Sequence, residues 1–145
     1  MTEFNQEIAS EVGKLKSERV LDEKRAIFQK IYGRFGTRLY DHEFNDVVVL
    51  DDFTIGFLSM LATKYDTLFK SFREELENSF FGMYRESDDI RERHMRPESE
   101  LSLQSIQLPS SGNSNWQLMY EMKSDDTIFH VELSSWEFNL VGITH

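Results

Sequence analysis

The apolar residues of this chain change period part-way along it. Up to residue 80 they return every three or four positions; from Trp116 onward they return every second position. A spacing near 3.6 lays side chains along one side of a helix, and a spacing of 2 lays them on one face of a strand. The pattern therefore predicts an α+β fold, with N-terminal helices packed on one face of a C-terminal antiparallel sheet of about four strands.

The helical part is expected over about residues 1–95. Ile8, Val12 and Leu15 form a first stripe; Val20, Leu21, Ile27, Phe28, Ile31, Tyr32 and Phe35 form a second, with Gly33 and Gly36 placing the helix stop at about residue 32. Val47-Val48-Val49-Leu50 fits a short buried strand or an extended entry to the next helix. Asp51 or Asp52 is placed to cap that helix, whose stripe runs through Phe57, Leu58, Leu61, Tyr65, Leu68, Phe69, Phe72, Leu76 and Phe80. As one rod, residues 53–80 would be about 42 Å long, so two readings stay open: one helix, or two packed helices with the second capped by Thr63 or Asp66. Residues 85–100 alternate in charge sign and close with Pro97, which fits a solvated connection.

The β part is expected over about residues 100–145. Trp116, Leu118, Tyr120 and Met122 make one alternating set, Thr127, Phe129, Val131 and Leu133 a second, and Trp136, Phe138 and Leu140 a third. Ser124-Asp125-Asp126 and Ser134-Ser135 are short enough for hairpin connections. Leu101 and Leu103 are out of phase with Ile106 and Leu108, so the strand before the meander should carry a bulge. With 145 residues, one domain over 1–145 is the expectation.

Composition bears on function. The net charge is −10, distributed as +1 over residues 1–35, −7 over 36–100 and −4 over 101–145. Such a balance argues against nucleic acid and anionic membranes as partners, since binding phosphates needs clustered Lys and Arg. The absence of Cys excludes disulfides, thiolate metal sites and cysteine nucleophiles, and fits a reducing compartment. With no basic leader before an apolar run and no apolar stretch of membrane-spanning length, a cytoplasmic location is expected.

Catalytic patterns are weak. His42, His94, His130 and His145 include no i, i+4 pair for a shared metal, and no nucleophile elbow, phosphate-binding glycine loop or EF-hand is present. Asp41-His42-Glu43 with Asp46 is the densest set of candidate ligands, yet it fits a polar turn better than a hard-cation site. His130 with Glu132 is the other place where a base and an orienting carboxylate share a strand face, although a half-exposed histidine with one hydrogen bond is the commoner outcome. No cofactor, metal site or catalytic residue is assigned.

Asp126-Thr127-Ile128-Phe129-His130-Val131-Glu132-Leu133, followed by Trp136 and Val141-Gly142-Ile143, resembles the C-terminal hairpins of small cytoplasmic bacterial immunity proteins from toxin systems, including contact-dependent inhibition. The resemblance spans residues 126–143 and transfers no functional residue. It implies a small, acidic, noncatalytic protein that binds and neutralises a toxin domain.

The reading adopted is a binding module for a basic protein partner. Its candidate contacts are Glu74, Glu75, Glu77, Asp88 and Asp89, with Tyr84 or Trp136 as an aromatic anchor. One alternative is a self-associating subunit, a homodimer that uses the Phe-rich stripe of residues 57–80 as its interface. The other is a small enzyme built on His130 and Glu132, or on His42 with Asp41, Glu43 and Asp46.

Overall fold

A computed structural model describes residues 3–32, 37–83, 100–110, 112–123 and 126–144. In chain order the elements are α1 (Glu3–Ser17), α2 (Leu21–Ile31), β1 (Arg38–Tyr40), α3 (Asp52–Met83), β2 (Leu101–Gln107), β3 (Asn115–Met122), β4 (Ile128–Ser134) and β5 (Glu137–Thr144). The fold is α+β, as its change of period implies. The connection expected over 85–100 lies almost entirely outside the described residues, and Ser124-Asp125 lies outside them as well.

Helix α1 ends in a defined cap. Arg19 takes a left-handed conformation with φ 57°. Its N–H then reaches the Lys16 carbonyl at 3.1 Å, and the Val20 N–H reaches that of Leu15 at 3.0 Å. This paired closure satisfies carbonyls that the last turn leaves open and redirects the chain into α2. Arg25 of α2 ties that helix to the next. It donates to the Leu50 carbonyl at 2.9 Å, to Asp22 at 2.7 Å and to Asp52 at 2.9 Å, while Lys16 of α1 meets Asp52 at 3.1 Å. The Lys16 hydrogen bond, with Lys16 and Arg25 as nearby positive charges, holds the Asp52 carboxyl below its usual range.

Residues 47–50 form no strand. Val47 and Val49 are 82% and 77% exposed, while Val48 and Leu50 pack against the core, so the segment is an extended entry to α3. Asp51 caps that helix, its Oδ1 accepting from the Thr54 N–H at 2.8 Å. Of the two readings left open for this stretch, the single rod is the one found: α3 is one helix of 32 residues, about 48 Å long. Thr63 Oγ bonds back to the Ser59 carbonyl inside the helix, at 3.4 Å, and Asp66 is exposed. The buried side chains Phe57, Leu58, Leu61, Leu68, Phe72, Leu76 and Phe80 keep one phase along the rod, so a break would have removed core contacts without satisfying any buried group.

Among the described residues the sheet has five strands rather than about four, in the order β1-β2-β3-β4-β5, and it is mixed. β1 pairs parallel with β2 through Leu39 opposite Ile106, and it falls within the stretch expected to be helical. Three residues are too few to display a period, which is why Arg38-Leu39-Tyr40 carries no strand signal. The other four strands form the expected antiparallel meander, and β2 has the expected irregularity between Leu103 and Ser105.

A second bulge was not legible. Leu133 pairs with Phe138 but Glu132 pairs with Leu140, so Asn139 is the extra residue. The phase of β5 therefore inverts after Phe138. Leu140, expected to point inward, is 51% exposed, and Val141 packs against the core instead. Trp136 is likewise not a strand residue: Ser135 and Trp136 form the two-residue turn between Ser134 and Glu137, with Ser135 at φ 54°.

The helices cover one face of the sheet, where Ile106, Leu118, Tyr120, Phe129, Val131 and Leu133 are buried. The opposite face carries Gln107, Gln117, Met119, His130 and Glu132. No described helix is long and apolar enough to cross a membrane.

Candidate binding face and adjoining pocket

The C-terminal half of α3 positions three of the candidate contacts. Leu68, Phe72, Leu76 and Phe80 point into the core. At about 100° of rotation per residue, Glu74 and Glu75 are carried out of that row. Both are exposed and have no ion-pair partner among the described residues. Glu77 differs. Its Oε1 accepts from Arg73 Nε at 2.9 Å, an i, i+4 pair at the mouth of a pocket.

That pocket, about 340 Å³, lies between α3 and the first residues of β2. Its walls are Phe69, Leu76, Leu101 and Leu103, and the rings of Tyr65 and Tyr120 complete it. The two tyrosine hydroxyls are 2.5 Å apart. Burial raises both their pKa values, so both stay protonated at neutral pH. None of these six residues was a candidate from sequence alone. The out-of-phase Leu101 and Leu103 were the available signal, since a bulge leaves inward side chains without regular neighbours.

Trp136 is half-buried within a cluster of rings. It stacks on Phe57 at 5.4 Å and 8°, and contacts Phe4 at 5.3 Å and Trp116 at 5.8 Å. Its indole N–H donates to Glu7 at 3.0 Å, and the Lys64 ammonium sits 5.6 Å above the ring. The structure thus places Trp136 in the packing between α1, α3 and the β4–β5 turn, away from Glu77. Tyr84, Asp88 and Asp89 lie outside the described residues, as do His94 and His145.

The enzyme alternatives rest on two other places. Asp41 closes a turn, its carboxylate accepting from the Glu43 N–H at 2.8 Å, the Asn45 N–H at 2.9 Å and Asn45 Nδ2 at 3.0 Å. Those hydrogen bonds, the ones from Asn45 foremost, hold its pKa below the usual carboxylate range. Asp41 and His42 line a shallow hollow, but no group of three His, Asp or Glu among the described residues is arranged to hold a metal ion.

His130 is oriented by Gln117, not by Glu132. Gln107 Nε2 donates to the His42 main-chain carbonyl at 3.0 Å, which can only accept. Gln107 Oε1 must then accept from Gln117 Nε2, at 2.6 Å, and Gln117 Oε1 from His130 Nδ1, at 2.9 Å. The chain fixes the tautomer. Nε2 is left as a lone-pair nitrogen, buried and without a hydrogen-bond partner among the described residues. Burial lowers the His130 pKa, against a smaller opposing pull from Glu132.

No family, curated protein or solved structure matches the chain.

Proposed function

We propose that the protein is a small, acidic, noncatalytic binding module of the toxin-neutralising immunity type, and that it docks a basic protein domain on the C-terminal half of α3. The observation that carries this reading is the pair Glu74 and Glu75, exposed and without an ion-pair partner among the described residues, on a helix whose inner side is packed into the core. Unpaired carboxylates on a firm surface steer an oppositely charged partner and add to its encounter rate. The acidic sequence and the resemblance of residues 126–143 to immunity-protein hairpins point the same way.

The stripe offered for self-association is packed largely into the core. Phe57, Phe72, Phe80 and their neighbours are in the core, and Phe81, at 46%, is the large apolar side chain that α3 exposes among the described residues.

The test compares the wild-type chain with a Glu74→Lys/Glu75→Lys variant as baits in lysate of the native cells. The expected outcome is a basic protein retained by the wild type, released by salt, and associating about tenfold more slowly with the variant. Expression of that protein alone should arrest growth, and co-expression of the wild-type chain should restore it. Equal capture by both baits, or a captured protein without toxicity, refutes the proposal.

A further inference from the structure

We infer that the pocket between α3 and β2 is a binding site for a neutral aromatic ring that carries a hydrogen-bond acceptor, with a simple phenol as the minimal ligand. The inference stands independently of the acidic face.

Size sets the first limit. At about 340 Å³ the pocket is at the small end of ligand sites, and a cavity of about 150 Å³ already accommodates benzene. One ring with a substituent fits within it.

The walls set the second. Phe69, Leu76, Leu101 and Leu103 offer no hydrogen-bonding atoms, so the body of the ligand must be apolar. Three of the lining residues are aromatic: Tyr65 and Phe69 stack at 6.1 Å, and Phe69 and Tyr120 are tilted at 6.4 Å. Their faces and edges favour another ring over an alkyl group of equal area.

The hydroxyl pair sets the third. Tyr65 and Tyr120 have two O–H hydrogens between them, and only one can occupy the 2.5 Å line between their oxygens. The other must point elsewhere, and both residues line the pocket. A ligand oxygen can accept it. Finally, Arg73 and Glu77 pair at the mouth, so an anion meets the Glu77 carboxylate and a cation meets the Arg73 guanidinium. A neutral ligand avoids both penalties.

The experiment is a chemical-shift titration of the full chain with p-cresol, toluene, 4-methylbenzoate and 4-methylbenzylammonium. The p-cresol shifts should centre on Phe69, Leu76, Leu101, Leu103 and Tyr120. Toluene should bind about two- to tenfold more weakly, the loss of one hydrogen bond, and both ions more weakly than p-cresol. In a Tyr65→Phe/Tyr120→Phe variant the preference for p-cresol over toluene should vanish while toluene still binds, which shows that the pocket remains folded. Leu103→Trp should block every probe.

A further arm uses the peptide acetyl-Lys-Tyr-Lys-amide. Tighter binding than p-cresol identifies a tyrosine of a basic partner as the source of the ring, and weaker binding a free small phenol; either upholds the chemistry. The inference is overturned if no probe moves those resonances, if toluene equals p-cresol on the wild-type chain, or if 4-methylbenzoate or 4-methylbenzylammonium binds more tightly than p-cresol.

Discussion

Gly56 marks a close approach of α1 to α3, and its replacement by alanine separates two opposing effects. A Cβ built there lies 2.6 Å from Val12 Cγ2 and 3.1 Å from both Ile8 Cγ2 and the Ile8 carbonyl oxygen. Carbon atoms sit comfortably at about 3.5–4.0 Å, so something must move. Val12 is β-branched and stiff at χ1 within a helix, and the Ile8 oxygen is main chain, so relief requires α1 to shift as a body. Overpacking of this kind costs about 1–3 kcal/mol. Against it stands the gain from removing a helical glycine, about 1 kcal/mol. Gly56→Ala should therefore destabilise by about 1 kcal/mol net. Gly13, interior to α1 with nothing within 4 Å of its virtual Cβ, provides the control. Gly13→Ala should stabilise by about 1 kcal/mol, and the difference between the variants, about 2 kcal/mol, isolates the steric part. Urea denaturation reads both as midpoint shifts at constant m. Adding Val12→Ala should restore part of the loss, with a coupling of at least about 0.5 kcal/mol. Equal stabilisation by Gly56→Ala and Gly13→Ala would refute the close packing of α1 on α3.

His130 should make stability depend on pH. Its folded pKa is depressed, so the unfolded chain binds the proton more readily; stability is full above the unfolded value, near 6.5, and falls as pH drops toward the lower folded value. His130→Gln keeps a donor for Gln117 and cannot titrate, so denaturation midpoints of the two chains should diverge below about pH 6.5, and parallel curves would sink the assignment. Asp51→Ala removes the cap of α3 and should cost about 1 kcal/mol by urea denaturation, whereas Asp51→Asn should recover most of it. Phe57→Ala, which removes the ring between Trp116 and Trp136, should cost about 3–5 kcal/mol and alter the near-ultraviolet circular dichroism of both tryptophans.

Legibility in this sequence follows the range of the interactions. The α3 stripe and the alternation of β3 and β4 were readable because every participating residue repeats a local rule, and their buried faces agree with it. The stop of α2 and the Asp51 cap were readable for the same reason. Leu140 was not, because the bulge at Asn139 is a property of two strands together. The same holds for β1, whose three residues become a strand only through parallel pairing with Ser105, Ile106 and Gln107, more than sixty positions away. Thr63 and Asp66 looked like caps because capping is local, whereas continuity of α3 depends on a sheet that local pattern cannot position. Of the candidate site, the acids of α3 were visible as charges, but the nearness of Glu77 to Leu101, Leu103 and Tyr120 was not.

The helices also explain why the acidity is regional. α1 runs antiparallel to the first half of α3, with Lys16 at Asp52, Ile8 and Val12 at Gly56, and Glu11 accepting from Ser59 at 3.0 Å. At about 22 Å it is less than half as long as α3. Acids at the covered end are therefore drawn into structure, as Asp52 is by Lys16 and Arg25. Farther along, α3 has the sheet beneath it and no described helix above, so Glu74 and Glu75 remain solvated and contribute little to folding. Their reversal to lysine should change stability by no more than about 0.5 kcal/mol, within the usual range for exposed sites. A binding loss in that variant then reports on docking and not on the fold. The same reversal at Asp52 would set a cation against both Lys16 and Arg25 and cannot separate the two.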